Sequence, residues 1–255
     1  MKKGSAMLLC LILLIFLLPV LLIFALSLLS TGHGGFSLTL KQYRGVFADK
    51  DLMRRFGNSA RITLGTLALQ MPLSMVGGLV LSRLRGWSRN VIAGALLLML
   101  LLPFQSYMMP VFKLCKEHGL YDTQWALILL YALSPLGSLI MFAFIRMIPE
   151  EQWEAAALET SSIIRTSITV VLPQLLPAVV ILLLLAFAEA WNMVEPAIIL
   201  LRDSWFQPAS VSLNNLHSIP YAGAALYCVP VLMLYAFVGI ILTNLHKAET
   251  RQQQK

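Results

Sequence analysis

The sequence predicts an all-α membrane protein with six transmembrane helices, and three observations lead to this prediction. Of its 255 residues, 58% are hydrophobic and only 12% are charged, whereas a soluble domain carries about a quarter charged residues. The mean hydropathy is +0.79. The apolar residues also form continuous runs of the roughly 20 residues that a bilayer-spanning helix needs. Because these runs lack the alternation of barrel strands, helices are the remaining way to satisfy the backbone in lipid.

The six predicted spans cover residues 7–29, 62–81, 91–112, 125–144, 174–201 and 223–245. Lys2 and Lys3 precede the first span, as they would in a signal peptide. The length of that span, and the lack of an A-x-A-like site after it, favour a helix that is retained. The chain is therefore expected to form one transmembrane domain over residues 1–255, with a cytoplasmic loop at residues 148–173.

A short surface helix is predicted between the first and second spans. Five apolar side chains recur there near helical spacing: Tyr43, Val46, Phe47, Met53 and Phe56. A helix with one apolar stripe lies well at a membrane surface. The alternative is an irregular loop with scattered apolar residues.

The positions of the basic residues predict the orientation of the chain. With six spans both termini lie on one side, and the lysines at the N-terminus favour the cytoplasm. The tight loop that holds Arg83, Arg85 and Arg89 then also falls inside. Residues 41–61 carry basic residues as well and fall outside, so the density of arginine in the tight loop decides the orientation.

Several kinds of catalytic or cofactor site are missing from the sequence. It contains no G-x-x-x-x-G-K-[ST], G-x-S-x-G or H-E-x-x-H motif, which argues against nucleotide hydrolysis, a serine hydrolase or a zinc protease. The three cysteines and four histidines are dispersed, so no metal site is expected. The net charge of +7 is scattered among loops, which disfavours a nucleic-acid partner. The chain is expected not to be an enzyme and to hold no cofactor of its own.

The loop at residues 148–173 interrupts this apolar chain with a compact acidic stretch. Pro149 suits the first turn of a helix, and the glutamates after it complement the positive end of the helix dipole. That helix can run to about Glu159, and Ser161 or Ser162 can cap a second one. The stretch is interpreted as two short helices joined by a turn, which form a docking surface for another protein at the membrane surface. The alternative is a solvated loop.

The same loop carries a motif at fixed spacing. Its residues are Glu154, Ala155, Ala156, Thr160, Val170, Leu172 and Pro173. The pattern resembles the EAA loop, EAA-x3-G-x9-I-x-LP, of permease subunits in binding-protein-dependent ABC importers. Thr160 stands where that family has glycine, and a β-branched residue resists the positive φ that glycine adopts freely.

Other motifs from Leu40 to the sixth span extend the resemblance. They are Leu40 with Tyr43, Phe56 with Asn58 and Ser59, Leu81-Ser82-Arg83, Gly119-Leu120-Tyr121-Asp122-Thr123 before Ala126-Leu127-Ile128, and Trp191-Asn192 before Pro196. The Trp-Asn pair is similar to the carbohydrate branch of the family, of the maltose and multiple-sugar type. The resemblance implies the type I ABC importer permease fold in a bacterial cytoplasmic membrane.

The resemblance also implies partners and a mechanism. Glu154, Ala155 and Ala156 would lie on a coupling helix that docks into an ATPase subunit, and Thr160 would stand in the turn that follows it. The implied assembly contains a second permease, two ATPase subunits and an extracytoplasmic solute-binding protein, and ATP and Mg would be bound by the ATPases. Solute, implied to be a carbohydrate, would cross by alternating access.

Polar residues inside the fifth span are candidates for the solute path. Glu189, Asn192 and Glu195 recur every three residues, and ionisable groups at membrane depth usually face a cavity or a partner. Alternatively, Glu195 lies near the outer interface and a neighbouring helix satisfies Glu189. Trp191 can stack on a sugar, face lipid or pack against other helices.

Gln70, Gln105 and Ser106 are weaker candidates for the path, and the sequence favours polar contact between helices as the role of each. Two rival functions remain open on the sequence. One is a stand-alone ion-coupled secondary transporter, with Glu189 or Glu195 carrying a proton or sodium ion. The other is a membrane scaffold without transport.

Overall fold

The computed structural model describes residues 3–32, 35–149, 151–153, 174–213 and 220–253. The chain forms two compact units. The first combines Met1–Asn58 with Pro208–Lys255, and the second is Ser59–Gln207. The single permease domain predicted over residues 1–255 stays a prediction.

In chain order, the described elements are α1 (Lys3–Ser27), β1 (Leu29–Gly32), β2 (Gly35–Leu38), α2 (Lys41–Ala48), α3 (Lys50–Arg83), α4 (Gly86–Leu101), α5 (Phe104–Glu117), α6 (Gln124–Ala132), α7 (Pro135–Ile145), α8 (Leu176–Trp191), α9 (Glu195–Leu200), α10 (Ala209–Ser212) and α11 (Pro220–Gln253).

The first unit pairs α1 with α11 and places a small apolar cluster beneath α2. Val46 is 0% exposed and packs with Leu52 and Ala222, with Tyr43 and Phe56 at the edge of the cluster. Helical structure between the first two spans is confirmed, since α2 and the start of α3 carry the apolar stripe and leave only its Phe47 exposed. The place of this helix at the membrane surface stays a prediction. The antiparallel hairpin of β1 and β2 was not predicted.

The second unit is built on α3, α6, α7 and α8. Its main cluster includes Met141 and Ile145 of α7, Ile148 after it, and Leu175 and Leu182 around and within α8. Since large apolar side chains interdigitate here, the two helices are held together at the end where α7 stops and α8 starts.

A buried polar stripe runs along α3 within the second unit. Ser59, Thr63, Thr66, Gln70 and Ser74 are each at most 2% exposed and follow one another at three- or four-residue steps on a single face. Small and polar side chains allow membrane helices to approach closely. The burial of Gln70 agrees with the predicted role of polar contact between helices.

The described residues include three helices that are long and apolar enough to cross a membrane: Lys50–Arg83, Gln124–Ile145 and Tyr221–Ile241. A bent pair, Gly86–Leu101 with Phe104–Glu117, brings the number to four if it counts as one span. Leu14–Ser27 and Leu176–Trp191 are shorter apolar helices. All six predicted spans therefore contain helix, whereas the count of six crossings stays a prediction.

The third predicted span, residues 91–112, differs from the expected straight helix. Its two halves, α4 and α5, meet at 99°. Pro103 disfavours helical dihedrals for the residue before it, and Leu102 is extended, with φ −73° and ψ 121°. The apolar run predicted the span, but the proline inside it sets the bend.

Candidate functional site

Three helix breaks in the second unit meet around one cavity. The breaks separate α4 from α5, α6 from α7, and α8 from α9, and residues from all three line the cavity. Its volume is about 920 Å³, within the range of about 300–1,000 Å³ that is common for ligand pockets. The lining includes Leu102, Phe104, Tyr107, Tyr131, Leu133, Ser134, Pro135, Glu189, Asn192, Met193, Val194, Glu195 and Pro196.

A proline accounts for each of these breaks. Pro103 ends the turn before α5, and Pro135 is the first residue of α7, which leaves Ser134 extended at φ −57° and ψ 128°. Pro196 stands in the first turn of α9, where it has no N–H to offer to the carbonyl of Asn192. Proline removes a helical hydrogen bond and clashes with the preceding turn.

The breaks give the cavity a polar backbone as well as polar side chains. The last carbonyls and first N–H groups of a helix have no partner inside that helix. At membrane depth, such backbone is tolerated where it lines a water-filled cavity or is buried in protein. Broken helices of this kind are typical of transporter binding sites.

The structure places Glu189, Asn192 and Glu195 together in the cavity lining. Glu189 and Asn192 lie at the end of α8, and Glu195 begins α9. The Nδ2 atom of Asn192 donates to the carbonyl of Ala188 at 2.8 Å. Gln105 donates from Nε2 to Oε2 of Glu195 at 2.7 Å. Gln105, a weaker candidate for the solute path, therefore contacts one of the three main candidates.

The sequence interpretation missed three hydroxyl-bearing residues of the cavity. Tyr107, Tyr131 and Ser134 line it, in the same cavity as Glu189 and Glu195. Tyr107 also packs edge-on against Phe104, with ring centroids 5.3 Å apart. The Leu-Pro and Ser-Pro pairs inside apolar runs were the signal that could have located them.

The ionisable side chains that line the cavity are all of one sign, if tyrosine and cysteine are left aside. Of the residues that line it in the described part of the chain, Glu189 and Glu195 are acidic and none is Lys, Arg or His. Within the same described ranges, no group of three or more His, Cys, Asp or Glu residues is arranged to hold a metal ion.

Trp191 packs inside the unit rather than lining the cavity. Its side chain is 4% exposed and stacks on Phe187 at 5.6 Å between ring centroids, with 9° between the planes. Of the three roles open on the sequence, the structure favours packing over facing lipid or stacking on a sugar.

The four predicted coupling residues, Glu154, Ala155, Ala156 and Thr160, lie outside the described residues. Residues 151–153, before positions 154–173, and residue 174, after them, are described. Gln174 donates from Nε2 to Oε1 of Gln152 at 2.6 Å, so the two flanks of the loop meet.

The Gly-Leu-Tyr-Asp-Thr motif forms a structural turn. Gly119 and Asp122 have φ values of +67° and +63°. The Asp122 carboxylate accepts the backbone N–H of Asp203 at 2.9 Å, and its own N–H donates to the carbonyl of Leu200 at 2.9 Å. These bonds tie the loop before α6 to the loop after α9.

Taken together, spans interrupted at a polar cavity define a membrane transport protein. The model of the family of binding-protein-dependent transport system inner membrane components matches residues 70–250. The chain belongs to this family.

Two relatives support the assignment. The trehalose transport system permease protein SugB of Mycobacterium tuberculosis is 31% identical over 207 residues, which cover 78% of this chain and 76% of SugB. The diacetylchitobiose uptake system permease protein NgcG of Streptomyces coelicolor is 27% identical over 239 residues, or 87% of this chain and 79% of NgcG.

A solved structure shares the fold. It is a bacterial ABC transporter involved in the import of the acidic polysaccharide alginate, with a TM-score of 0.80 and 21% identity. The match covers 92% of this chain and 94% of the other. The predicted ABC importer permease fold and family are confirmed, and they favour an ABC importer permease over the stand-alone secondary transporter.

Proposed function

We propose that the cavity is part of the path of a carbohydrate and that this chain opens and closes that path in an ATP-driven importer. The observation that carries the proposal is the convergence of three proline-marked breaks on one polar cavity. Glu189, Asn192 and Glu195 supply hydrogen-bonding groups there. Such groups suit a solute that has many hydroxyls and must lose part of its hydration as it enters the membrane.

The chemistry of the lining narrows the solute class. Carboxylates accept hydrogen bonds from sugar hydroxyls, and the faces of Phe104, Tyr107 and Tyr131 can pack on the apolar faces of sugar rings. Ionised carboxylates repel anions in a low-dielectric site. The solute is therefore proposed to be a neutral or amino-bearing oligosaccharide, a class in which the trehalose and diacetylchitobiose named for two relatives are neutral examples.

The proposed assembly has a second permease, two ATPase subunits and an extracytoplasmic solute-binding protein. ATP and Mg would bind in the ATPase subunits, and this chain would hydrolyse nothing. Glu154, Ala155 and Ala156 would dock into an ATPase subunit, with Thr160 in the turn behind them. Both termini would face the cytoplasm of a bacterial cell whose cytoplasmic membrane holds the complex.

A charge reversal tests the coupling role. In the complete importer in proteoliposomes, Glu154→Arg is expected to leave the subunits copurifying and to lower ATP hydrolysis stimulated by the binding protein by at least about tenfold, the scale of a broken interfacial charge pair. Glu117→Arg changes an exposed acid of α5 and serves as the control. Wild-type stimulation in Glu154→Arg would refute the coupling role.

A binding panel tests the solute class. The solute-binding protein of the proposed assembly would be titrated with trehalose, diacetylchitobiose, the glucosamine disaccharide and digalacturonate, and the probes that bind would be tested for uptake. Uptake of a neutral or amino sugar is expected. Efficient uptake of digalacturonate would contradict the proposed charge selection.

A further inference from the structure

The last residue of α3 covers the aromatic ring that directly precedes the predicted coupling residues. The guanidinium carbon of Arg83 lies 4.4 Å from the centroid of a ring of Trp153. A cation over an indole face is attracted by the charge distribution of the ring. Glu154 follows Trp153 in the chain, so any displacement of Glu154 pulls on this contact.

Trp153 is also joined to the core of the second unit. It is half-buried and packs against the cluster that contains Ile145, Ile148 and Leu175. Leu79, one turn before the end of α3, packs against the same cluster. Trp153 therefore joins the ends of α3 and α7 to the start of α8.

A second contact closes the loop beside this ring. Gln152 accepts a hydrogen bond of 2.6 Å from Gln174, which is 22 positions away along the chain. The N–H of Gln152 also donates to the carbonyl of Pro149 at 3.2 Å. The hydrogen bond between Gln152 and Gln174 holds the two ends of the loop together beside Trp153. A force applied to the loop is therefore transmitted at this contact.

From this point, two stiff elements lead to the cavity. Helix α7 begins beside Ser134 and α8 ends beside Asn192, and both of these residues line the cavity. At about 1.5 Å per residue, α7 spans roughly 16 Å and α8 roughly 24 Å. A displacement at the Trp153 end can therefore reach the cavity through rigid helices.

We propose that Arg83 and Trp153 are positioning residues that connect the coupling segment, residues 154–160, to the helices of the cavity. We call the contact between Arg83 and Trp153 the joint. The proposal rests on the proposed coupling role of Glu154. Breaking the joint lets the coupling segment move without carrying α3, α7 and α8 with it. The ATPase subunits would then still bind and hydrolyse ATP, but the signal from the binding protein would reach them poorly.

The test uses the complete importer in proteoliposomes and measures ATP hydrolysis with and without the binding protein. Arg83→Gln and Trp153→Ala are each expected to lower the ratio of stimulated to basal hydrolysis by roughly 3- to 10-fold, the scale of one cation–π contact. Arg83→Lys and Trp153→Phe, which keep the cation and the ring, are expected to restore most of the ratio. Arg85→Gln and Trp87→Ala, at exposed positions nearby, are the matched controls.

A double variant separates a joint from two independent effects. If Arg83 and Trp153 act through each other, Arg83→Gln combined with Trp153→Ala lowers the ratio no further than either change alone. A purely structural role would instead lower basal hydrolysis and copurification together, and the conservative variants would not rescue the ratio selectively. That result would overturn the proposal.

Glu154→Arg in the same assay separates this inference from the proposed function. If Glu154→Arg abolishes stimulation while Arg83→Gln and Trp153→Ala leave it unchanged, the joint is refuted and the coupling role stands. If Glu154→Arg leaves stimulation intact, the coupling role fails and the joint fails with it. Because Arg83 is exposed, Arg83→Gln tests the joint even if Trp153→Ala does not assemble.

Discussion

Gln105 in α5 donates a hydrogen bond of 2.7 Å to the carboxylate of Glu195 at the start of α9. The two residues are 90 positions apart in the chain. Gln105 follows the break between α4 and α5, and Glu195 follows the break between α8 and α9. Glu195 lines the cavity, and the amide fixes one of its oxygens. The orientation of this acid is thus set by a helix that follows the bend at Pro103.

Removing this hydrogen bond should impair transport without unfolding the chain. Gln105→Ala is expected to lower the uptake rate of a neutral disaccharide by roughly 2- to 10-fold, since a hydrogen bond contributes about 0.5–1.5 kcal/mol. Glu195→Gln keeps the shape of the side chain and should raise the ratio of digalacturonate to neutral uptake. Glu117→Gln, on the same helix as Gln105, is the control. An unchanged ratio in Glu195→Gln would argue against charge selection by this carboxylate.

The close packing of α3 on α7 should not tolerate a methyl group at Gly78. A Cβ atom there would lie 2.8 Å from the backbone nitrogen of Phe142, and backbone cannot move aside as a flexible side chain can. Gly78→Ala is expected to destabilise the protein by about 1–3 kcal/mol. Gly94 in α4 has open space at the same position, so Gly94→Ala should cause no loss. Thermal unfolding in detergent measures both, and equal Tm values would contradict the packing argument.

Asp122 should be replaceable by asparagine but not by alanine. It adopts φ +63°, which asparagine and aspartate tolerate better than other residues with side chains, and it accepts the N–H of Asp203 at 2.9 Å. Asp122→Ala is expected to cost about 1–3 kcal/mol, because it loses the acceptor and keeps the unfavourable φ. Asp122→Asn should cost less, and thermal unfolding would compare the two. Matching Tm values for the two variants would show that neither the bond nor the φ matters.

The predicted orientation can be tested with single cysteines in a background that lacks Cys10, Cys115 and Cys228. Ser88→Cys, in the first turn of α4 between Arg85 and Arg89, should react with a membrane-impermeant maleimide in inside-out vesicles alone, since basic segments beside the spans favour the cytoplasm. Arg202→Cys, after α9, should react in right-side-out vesicles alone. The opposite pattern would invert the predicted topology.

Much of the local structure could be predicted because it depends on short stretches of sequence. The apolar stripe that includes Val46 and Phe56 predicted the helices that bury it. Glu189, Asn192 and Glu195 stood out because polar groups within an apolar run need a cavity or a partner. The structure places all three in one cavity.

The site as a whole could not be predicted, because it depends on contacts between distant segments. Neither the spacing nor the composition around Gln105 points to Glu195. Tyr107 and Tyr131 resemble other aromatic residues of a membrane helix until the breaks bring them together. Pro103 was visible in the sequence, but a search for apolar runs of sufficient length counts a bent pair of helices as one span.

The three interrupted helices also bear on how such proteins diversify. Leu102, Ser134 and Val194 lie between helices, so an exchange of their side chains leaves the residues within the helices unchanged. Substitutions that adapt the protein to a new solute can therefore occur at these positions with little loss of stability. Changes in solute specificity, in evolution or by design, are expected first at the residues of these three helix breaks.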